Sequence, residues 1–341
     1  MQEPRIAVVG AGLIGRKHVE MVRREAHLAA VVDPSEAAKA LANAIGAEWY
    51  SDLPAYLADH RPDGAIVATP NRMHADHALA CIAAGVPVLI EKPVADNAGD
   101  AEKLVSAAEA AGVPVLVGHH RRYNPIVTVA REAIASGRLG DIVSVHAQFW
   151  LFKPEDYFDV AWRRRKGAGP VFINLIHDMD LLRFLCGEIV SVQAVESRAA
   201  RGFHVEDTAA ILLEFANGAL GTVAVSDAVV APWSWELTAA ENAAYPATGA
   251  ACYMFGGSRA SLSLPDLQLW QYPGERGWHE AIGRTVLAHN RADPLVLQMR
   301  HFLDVTRGRS RPMVSGREGL ASLRVVEAVK RAAAAGTAVS P

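Results

Sequence analysis

The chain has 341 residues, with 34 Lys plus Arg against 37 Asp plus Glu and a formal charge of -3. That length suits about two domains with a sizeable core, and the lack of a net positive field excludes a general binder of nucleic acid or of anionic membranes. At 51% hydrophobic and 21% charged residues, the composition is that of a folded globular protein.

Through the first third, short β-branched runs alternate with Ala-rich helical stretches. Strands are expected at 5–9, 28–32, 65–68, 88–90 and 113–117, with helices such as 73–84 and 97–111 between them. Repeated strand–helix–strand predicts an α/β domain built on a doubly wound parallel sheet, the organisation of a nucleotide-binding Rossmann domain. Crossover helices cover both faces of such a sheet, which is why its strands are apolar throughout. After about Tyr123 the strands lengthen, to 142–150, 189–198, 208–215 and 219–225, and they read as an antiparallel sheet. Asn217-Gly218 predicts a two-residue type I′ hairpin between the last two. Helices are expected at 125–136, 171–185, 294–306 and 316–335. Three scattered cysteines, Cys81, Cys186 and Cys252, fit a reducing compartment. The first apolar run is shorter than a signal-peptide core, and no stretch approaches a membrane span, so a cytoplasmic protein is expected.

Gly10-Ala11-Gly12-Leu13-Ile14-Gly15 directly follows the first strand and opens a helix. Gly10 serves the tight turn, Gly12 lets a pyrophosphate reach the backbone, and Gly15 lets helix and strand pack closely. The phosphates then sit on the helix N-terminus, with Leu13 and Ile14 in its first turn. Asp33 ends the second strand, at the place of a carboxylate that binds ribose hydroxyls. It repels a 2′-phosphate, and no Arg or Lys follows before Lys39, so NAD is favoured over NADP. At the end of strand 88–90 stands Glu91-Lys92-Pro93. Ligands lie outside the carboxyl ends of parallel strands, so Lys92 is expected near the nicotinamide, where a lysine in a partly desolvated cleft can transfer protons.

Together with Ala68-Thr69-Pro70-Asn71 and His74, then Gly118-His119-His120-Arg121-Arg122-Tyr123-Asn124-Pro125, and Gly169-Pro170 through Ile173-Asn174-Leu175-Ile176-His177-Asp178-Met179-Asp180, these motifs resemble the glucose–fructose oxidoreductase and inositol dehydrogenase (Gfo/Idh/MocA) family. The resemblance covers nearly the whole chain. It implies an NAD-binding Rossmann domain at 1–122 and, at 123–341, an α+β domain with a large, mostly antiparallel open sheet that binds substrate and forms a homodimer or homotetramer. It implies hydride transfer between nicotinamide and a secondary alcohol or ketone of a sugar, cyclitol or related alicyclic small molecule. Lys92 and His177 are then catalytic, and Thr69, Pro70, Asn71, His74, Glu91, Lys92, His119, Trp162 and Arg163 fall at the cofactor. Substrate contacts are expected from Lys92, His120, Arg121, Asn174, His177 and Asp180. Family members carry an aspartate four residues before the histidine, where this chain has Ile173; Asn174 and Asp180 share a helical face with His177 and are candidates to orient it. His74 with His77, or His177 with Asp178 and Asp180, could offer metal ligands, but an H-x-x-H pair normally needs a third ligand that the sequence does not place, so no metal is expected. Two alternatives stand on the same fold: a glycosidase that recycles bound NAD, and a nucleotide-sensing regulator that needs no Lys92.

Overall fold

In a computed structural model of the chain, residues 3–341 are described. They divide into two compact units: the chain up to His120 with Leu295–Leu323, and Arg121–Pro294 with Arg324–Pro341.

The first unit runs β1 (Arg5–Val9), α1 (Leu13–Glu25), β2 (His27–Val32), α2 (Glu36–Ile45), β3 (Trp49–Tyr50), α3 (Leu53–Asp59), β4 (Gly64–Val67), α4 (His74–Ala83), β5 (Val88–Ile90), α5 (Ala98–Ala111) and β6 (Val115–Val117). Its six strands lie in the order β3-β2-β1-β4-β5-β6 and pair in parallel, the doubly wound arrangement expected from the alternation. Strand order reverses beside β1, so the carboxyl ends of β1 and β4 flank the crevice where such sheets bind ligands. Local chemistry sets the helix ends. Ser35 caps α2 by accepting from Ala38 N at 3.3 Å, and Asn97 caps α5 by accepting from Asp100 N at 2.9 Å; Gly46 and Gly112, at φ 67° and 65°, end the same two helices. Ile6, Val8, Val31, Ile66, Leu89 and Leu116 are fully buried under Val19 and Val22 of α1 and Ala38 and Ala42 of α2. Each such side chain is worth about 1.5–3 kcal/mol.

The second unit contains α6 (Pro125–Ala135), β7 (Ile142–Trp150), α7 (Pro170–Ile173), α8 (Leu175–Cys186), β8 (Ile189–Ser197), β9 (Thr208–Phe215), β10 (Leu220–Ser226), α9 (Trp235–Thr238), β11 (Tyr253–Gly257), β12 (Ala260–Leu264), β13 (Gln268–Gln271) and β14 (Gly283–Val286). The strands form one open sheet, β14-β13-β12-β11-β7-β10-β9-β8, antiparallel except where β10 meets β7. One face is core, with Phe149, Ile211, Leu213, Val225, Tyr253 and Phe255 buried; on the other, Val195 is 70%, Leu212 53% and Leu220 60% exposed.

Two local expectations are corrected. The β9–β10 connection is a three-residue loop: Gly218 N donates to Phe215 O and Phe215 N to Ala219 O, both at 2.9 Å, and of Asn217 and Gly218 only the glycine takes positive φ, at 84°. A type I turn closed by a left-handed glycine fits these bonds, and Asn217 Oδ1 holds it by accepting from Ala219 N at 3.1 Å. The expected helix 171–185 is broken at Asn174 into α7 and α8. The chain closes with α10 (Pro294–Thr306) and α11 (Gly316–Ala335), and Met299, Phe302 and Leu303 of α10 complete the core of the first unit. Among the described residues no helix is long and apolar enough to cross a membrane, and no group of three His, Cys, Asp or Glu side chains is placed to hold a metal.

Candidate active site

In the first unit the candidate residues lie at the carboxyl edge of the six-stranded sheet. Gly10 takes φ +92°, and a Cβ there would stand 2.7 Å from the Ala68 carbonyl; a Cβ on Gly15 would stand 2.0 Å from Gly10 O. Both glycines are therefore required by packing. Gly12 is different: a Cβ there meets nothing within 4 Å, so the space over the N-terminus of α1 is open. Leu13 is 86% exposed beside it. Asp33 closes the loop from β2, accepting from Ala11 N through Oδ2 at 2.8 Å and from Ser35 N through Oδ1 at 2.9 Å. Burial works against its charge, but the bonds from Ser35 and Ala11 prevail and hold its pKa below the usual carboxylate value. Open space, helix N-terminus and an ionised acid at the second strand suit the pyrophosphate and ribose of a dinucleotide.

The loops after β4 and β5 are tied together by one residue. His74, buried in the first turn of α4, lies with Nε2 2.8 Å from Thr69 O and Nδ1 2.7 Å from Pro93 O. His74 thus supports the two loops from beneath, while Pro70 and Asn71 are exposed above it and Thr69 Oγ1 lies 3.2 Å from His77 Nδ1. Glu91 is buried too, with Oε1 2.7 Å from His18 Nε2 on α1 and Oε2 accepting from Lys92 N at 3.2 Å. Burial would raise its pKa, but the His18 bond and charge, then His120 and Lys92, bring it down to about 2. Lys92 is half-buried, with a cis peptide bond to Pro93. His119 is buried and His120 half-buried at the end of β6.

In the second unit the candidate residues gather around α8. His177 is 7% exposed in the first turn, and its N–H donates to Asn174 O at 3.2 Å. Asn174 Oδ1 accepts from Lys153 Nζ at 3.0 Å. Trp162 is 53% exposed, and Arg163 stacks on Tyr157 at 4.1 Å and donates to Tyr157 O at 2.8 Å. Two expected substrate contacts have other work. Arg121 is buried, reaching Glu236 Oε1 at 2.7 Å and Asp178 Oδ1 at 3.4 Å. Asp180, 1% exposed, accepts a bidentate pair from Arg122 at 2.7 and 2.8 Å. Desolvated arginines demand carboxylates, so adjacent guanidinium groups take up the adjacent acids of α8. Asp178 also accepts from the Tyr253 hydroxyl, yet burial outweighs Arg121 and Tyr253 and pushes its pKa up to about 6. His18, Arg122, Lys153, Tyr253 and Glu236 were not singled out from sequence, and Asp178 was weighed only as a metal ligand. His18 alone left a signal, three positions after Gly15 and so on the same inward face of α1.

A glycine loop, an acid at the second strand and a lysine beyond the fifth define a dinucleotide-dependent oxidoreductase. Residues 4–119 match the oxidoreductase family, NAD-binding Rossmann fold, and residues 127–243 match the GFO/IDH/MocA C-terminal domain. The chain belongs to the Gfo/Idh/MocA family and is an NAD-binding dehydrogenase or reductase. It is 30% identical over 226 residues to 4-carboxy-2-hydroxymuconate-6-semialdehyde dehydrogenase of Sphingobium sp., covering 65% of this chain and 71% of that one. It is 29% identical to inositol 2-dehydrogenase 1 of Saccharopolyspora erythraea over 353 residues, 98% of this chain and 95% of that one. Among solved structures it resembles the WlbA dehydrogenase from Bordetella pertussis, determined in complex with NADH and UDP-GlcNAcA, with TM-score 0.80, 26% identity and coverage of 100% and 99%.

Proposed function

We propose that this protein transfers a hydride between nicotinamide and a secondary alcohol or ketone carbon of a sugar, cyclitol or related alicyclic compound, with Lys92 and His177 handling the proton. The observation that carries this reading is the bracing of Lys92. His74 joins the Thr69 and Pro93 carbonyls, and Glu91 binds both His18 and Lys92 N, so the lysine is set at the sheet edge that also carries the glycine loop. The names of the relatives, an inositol dehydrogenase and a dehydrogenase crystallised with UDP-GlcNAcA, support the substrate class.

Gly10, Gly12, Leu13, Ile14, Gly15 and Asp33 would hold the pyrophosphate and ribose, and Thr69, Pro70, Asn71, His119, Trp162 and Arg163 would meet the rest of the cofactor. When bound, NAD supplies the hydride acceptor. The chain places the reacting carbon and moves the proton: in the oxidative direction the Lys92 amine takes the hydroxyl proton, and His177 hydrogen-bonds that oxygen. His120 and Asn174 are further substrate contacts. Residues 1–122, joined by Leu295–Leu323 in the same unit, would serve as the cofactor domain, and the rest of 123–341 as the substrate and oligomerisation domain of a cytoplasmic homodimer or homotetramer.

NADH absorbance with NAD and a panel of sugars, cyclitols and sugar acids tests the reading. Lys92→Ala should lower kcat by about 10²–10⁴-fold, the range of a lost proton-transfer group, while NADH still quenches protein fluorescence at wild-type concentrations. A variant as fast as wild type would remove Lys92 from the chemistry, and bound NAD without net NADH would point to the recycling glycosidase.

A further inference from the structure

The second unit buries a lysine for which the reaction above has no use. Lys153 lies in the loop after β7, with a side chain 9% exposed. Its ammonium donates to Asn174 Oδ1 at 3.0 Å, lies 3.4 Å from Asp227 Oδ2 and stands 5.0 Å from the centre of the Tyr157 ring.

Donor count comes first. An ammonium carries three N–H groups, and among the described residues two acceptors face this one. Buried polar groups are nearly always satisfied, so a third oxygen belongs here, from solvent or ligand.

Charge points the same way. The two acids whose charge acts on Lys153, Asp227 and Glu236, are both shared with arginines. Asp227 accepts from Arg201 Nε at 3.1 Å, and the Asp227 carbonyl accepts from Arg201 Nη2. Glu236 Oε1 accepts from Arg121 at 2.7 Å, while its Oε2 is buried with no hydrogen bond among the described residues. Lys153 thus has no acid to itself, and burial outweighs Asp227 to lower its pKa.

Position supplies the third argument. Lys153 grips Asn174, whose carbonyl receives the His177 N–H, so the ammonium is fastened to the turn that carries His177. Where the resemblance calls for an aspartate, four residues before that histidine, the chain has Ile173. An aspartate would repel a substrate carboxylate; Ile173 removes that repulsion, and Lys153 adds attraction.

We propose that Lys153 is a specificity-determining residue that donates its third N–H to a carboxylate of the substrate, so that the preferred substrates are acids derived from sugars or cyclitols. This rests on the dehydrogenase reading above.

Calorimetric titration of the full chain, first with NAD and then, saturated with NAD, with D-glucuronate, D-galacturonate, D-gluconate, D-glucose, D-galactose and myo-inositol, tests it. At least one acid should bind about tenfold or more tighter than its neutral parent, the range of a hydrogen bond to a charged group. Lys153→Met should erase that gap, Lys153→Arg should keep part of it, and NAD affinity should stay within about twofold in both, which checks that the variants are folded. Equal affinity for acid and neutral sugar, no binding of any acid, or a gap that survives Lys153→Met overturns the proposal. Failure to bind NAD overturns the dehydrogenase reading and the proposal with it; NAD bound without acid preference overturns only the role of Lys153.

Discussion

Glu91 sets burial against pairing, and pairing prevails. An unperturbed glutamate titrates near about 4.3, while Glu91 in the folded chain is brought down to about 2 against the opposing effect of burial, chiefly by the hydrogen bond and charge of His18. A folded pKa below the unfolded one adds stability that is fully present above about pH 4.3 and is lost as pH falls towards 2. The thermal midpoint should therefore be level above about pH 5 and drop between about pH 4 and 2. Glu91→Gln should blunt that drop and cost about 3 kcal/mol at neutral pH, because it strips a buried pair of its charge; scanning calorimetry across the pH range checks both. An unchanged drop in the variant would assign the acid sensitivity to other carboxylates. The Glu-Lys-Pro string marked this residue in the sequence and the helical spacing turned His18 inward, but their pairing across 73 positions was not readable. The same holds for Arg121 and Asp180: the residue types fitted a polar site, and only the fold shows that buried counter-ions already occupy them.

At the scale of elements, the glycine loop separates packing from binding. A Cβ on Gly15 would lie 2.0 Å from Gly10 O, between α1 and β1, whereas a Cβ on Gly12 meets no protein atom and Gly12 has φ -68°, which any residue tolerates. Gly15→Ala should unfold or severely destabilise the first unit. Gly12→Ala should leave the thermal midpoint within about 2 °C yet weaken NADH binding by about tenfold or more, since the methyl group occupies the phosphate space. Differential scanning fluorimetry with an NADH titration reads both, and unimpaired binding by Gly12→Ala would move the pyrophosphate elsewhere. Parallel strands buried on both faces gave continuous apolar runs, so most of the six-stranded sheet could be read from sequence nearly to the residue. Strands β11 to β14 were not: they are four or five residues long, and β11 ends in Gly256-Gly257, which reads as a turn. The break at Asn174 was hidden as well, because α7 and α8 together keep the helical pattern and the Asn174 side chain makes no capping hydrogen bond, accepting from Lys153 instead.

At the scale of the whole molecule, the outer face of the eight-stranded sheet is the feature a monomer would least tolerate. Cross-strand pairing sets Val195, Ala210 and Ala224 in one row and Gln193, Leu212, Thr222 and His146 in the next. The two alanines leave a shallow depression between Val195 and Leu212, which are 70% and 53% exposed, with Leu220 at 60% beside them. Contiguous apolar surface of this kind marks an interface. A two-fold arrangement lets the projecting Leu212 and Val195 of each copy enter the depression of the other. In the proposed assembly a charge introduced there would be buried twice, once per subunit. Leu212→Glu should therefore shift the chain from dimer or tetramer to monomer in light scattering, by about 2 kcal/mol or more, while NADH binding persists because the glycine loop lies in the other unit. Glu214→Gln, at the margin of the patch on β9, is the control, and it should leave the assembly intact. A wild-type chain that scatters as a monomer at micromolar concentration would instead require another cover for these side chains, and the oligomeric reading would fall.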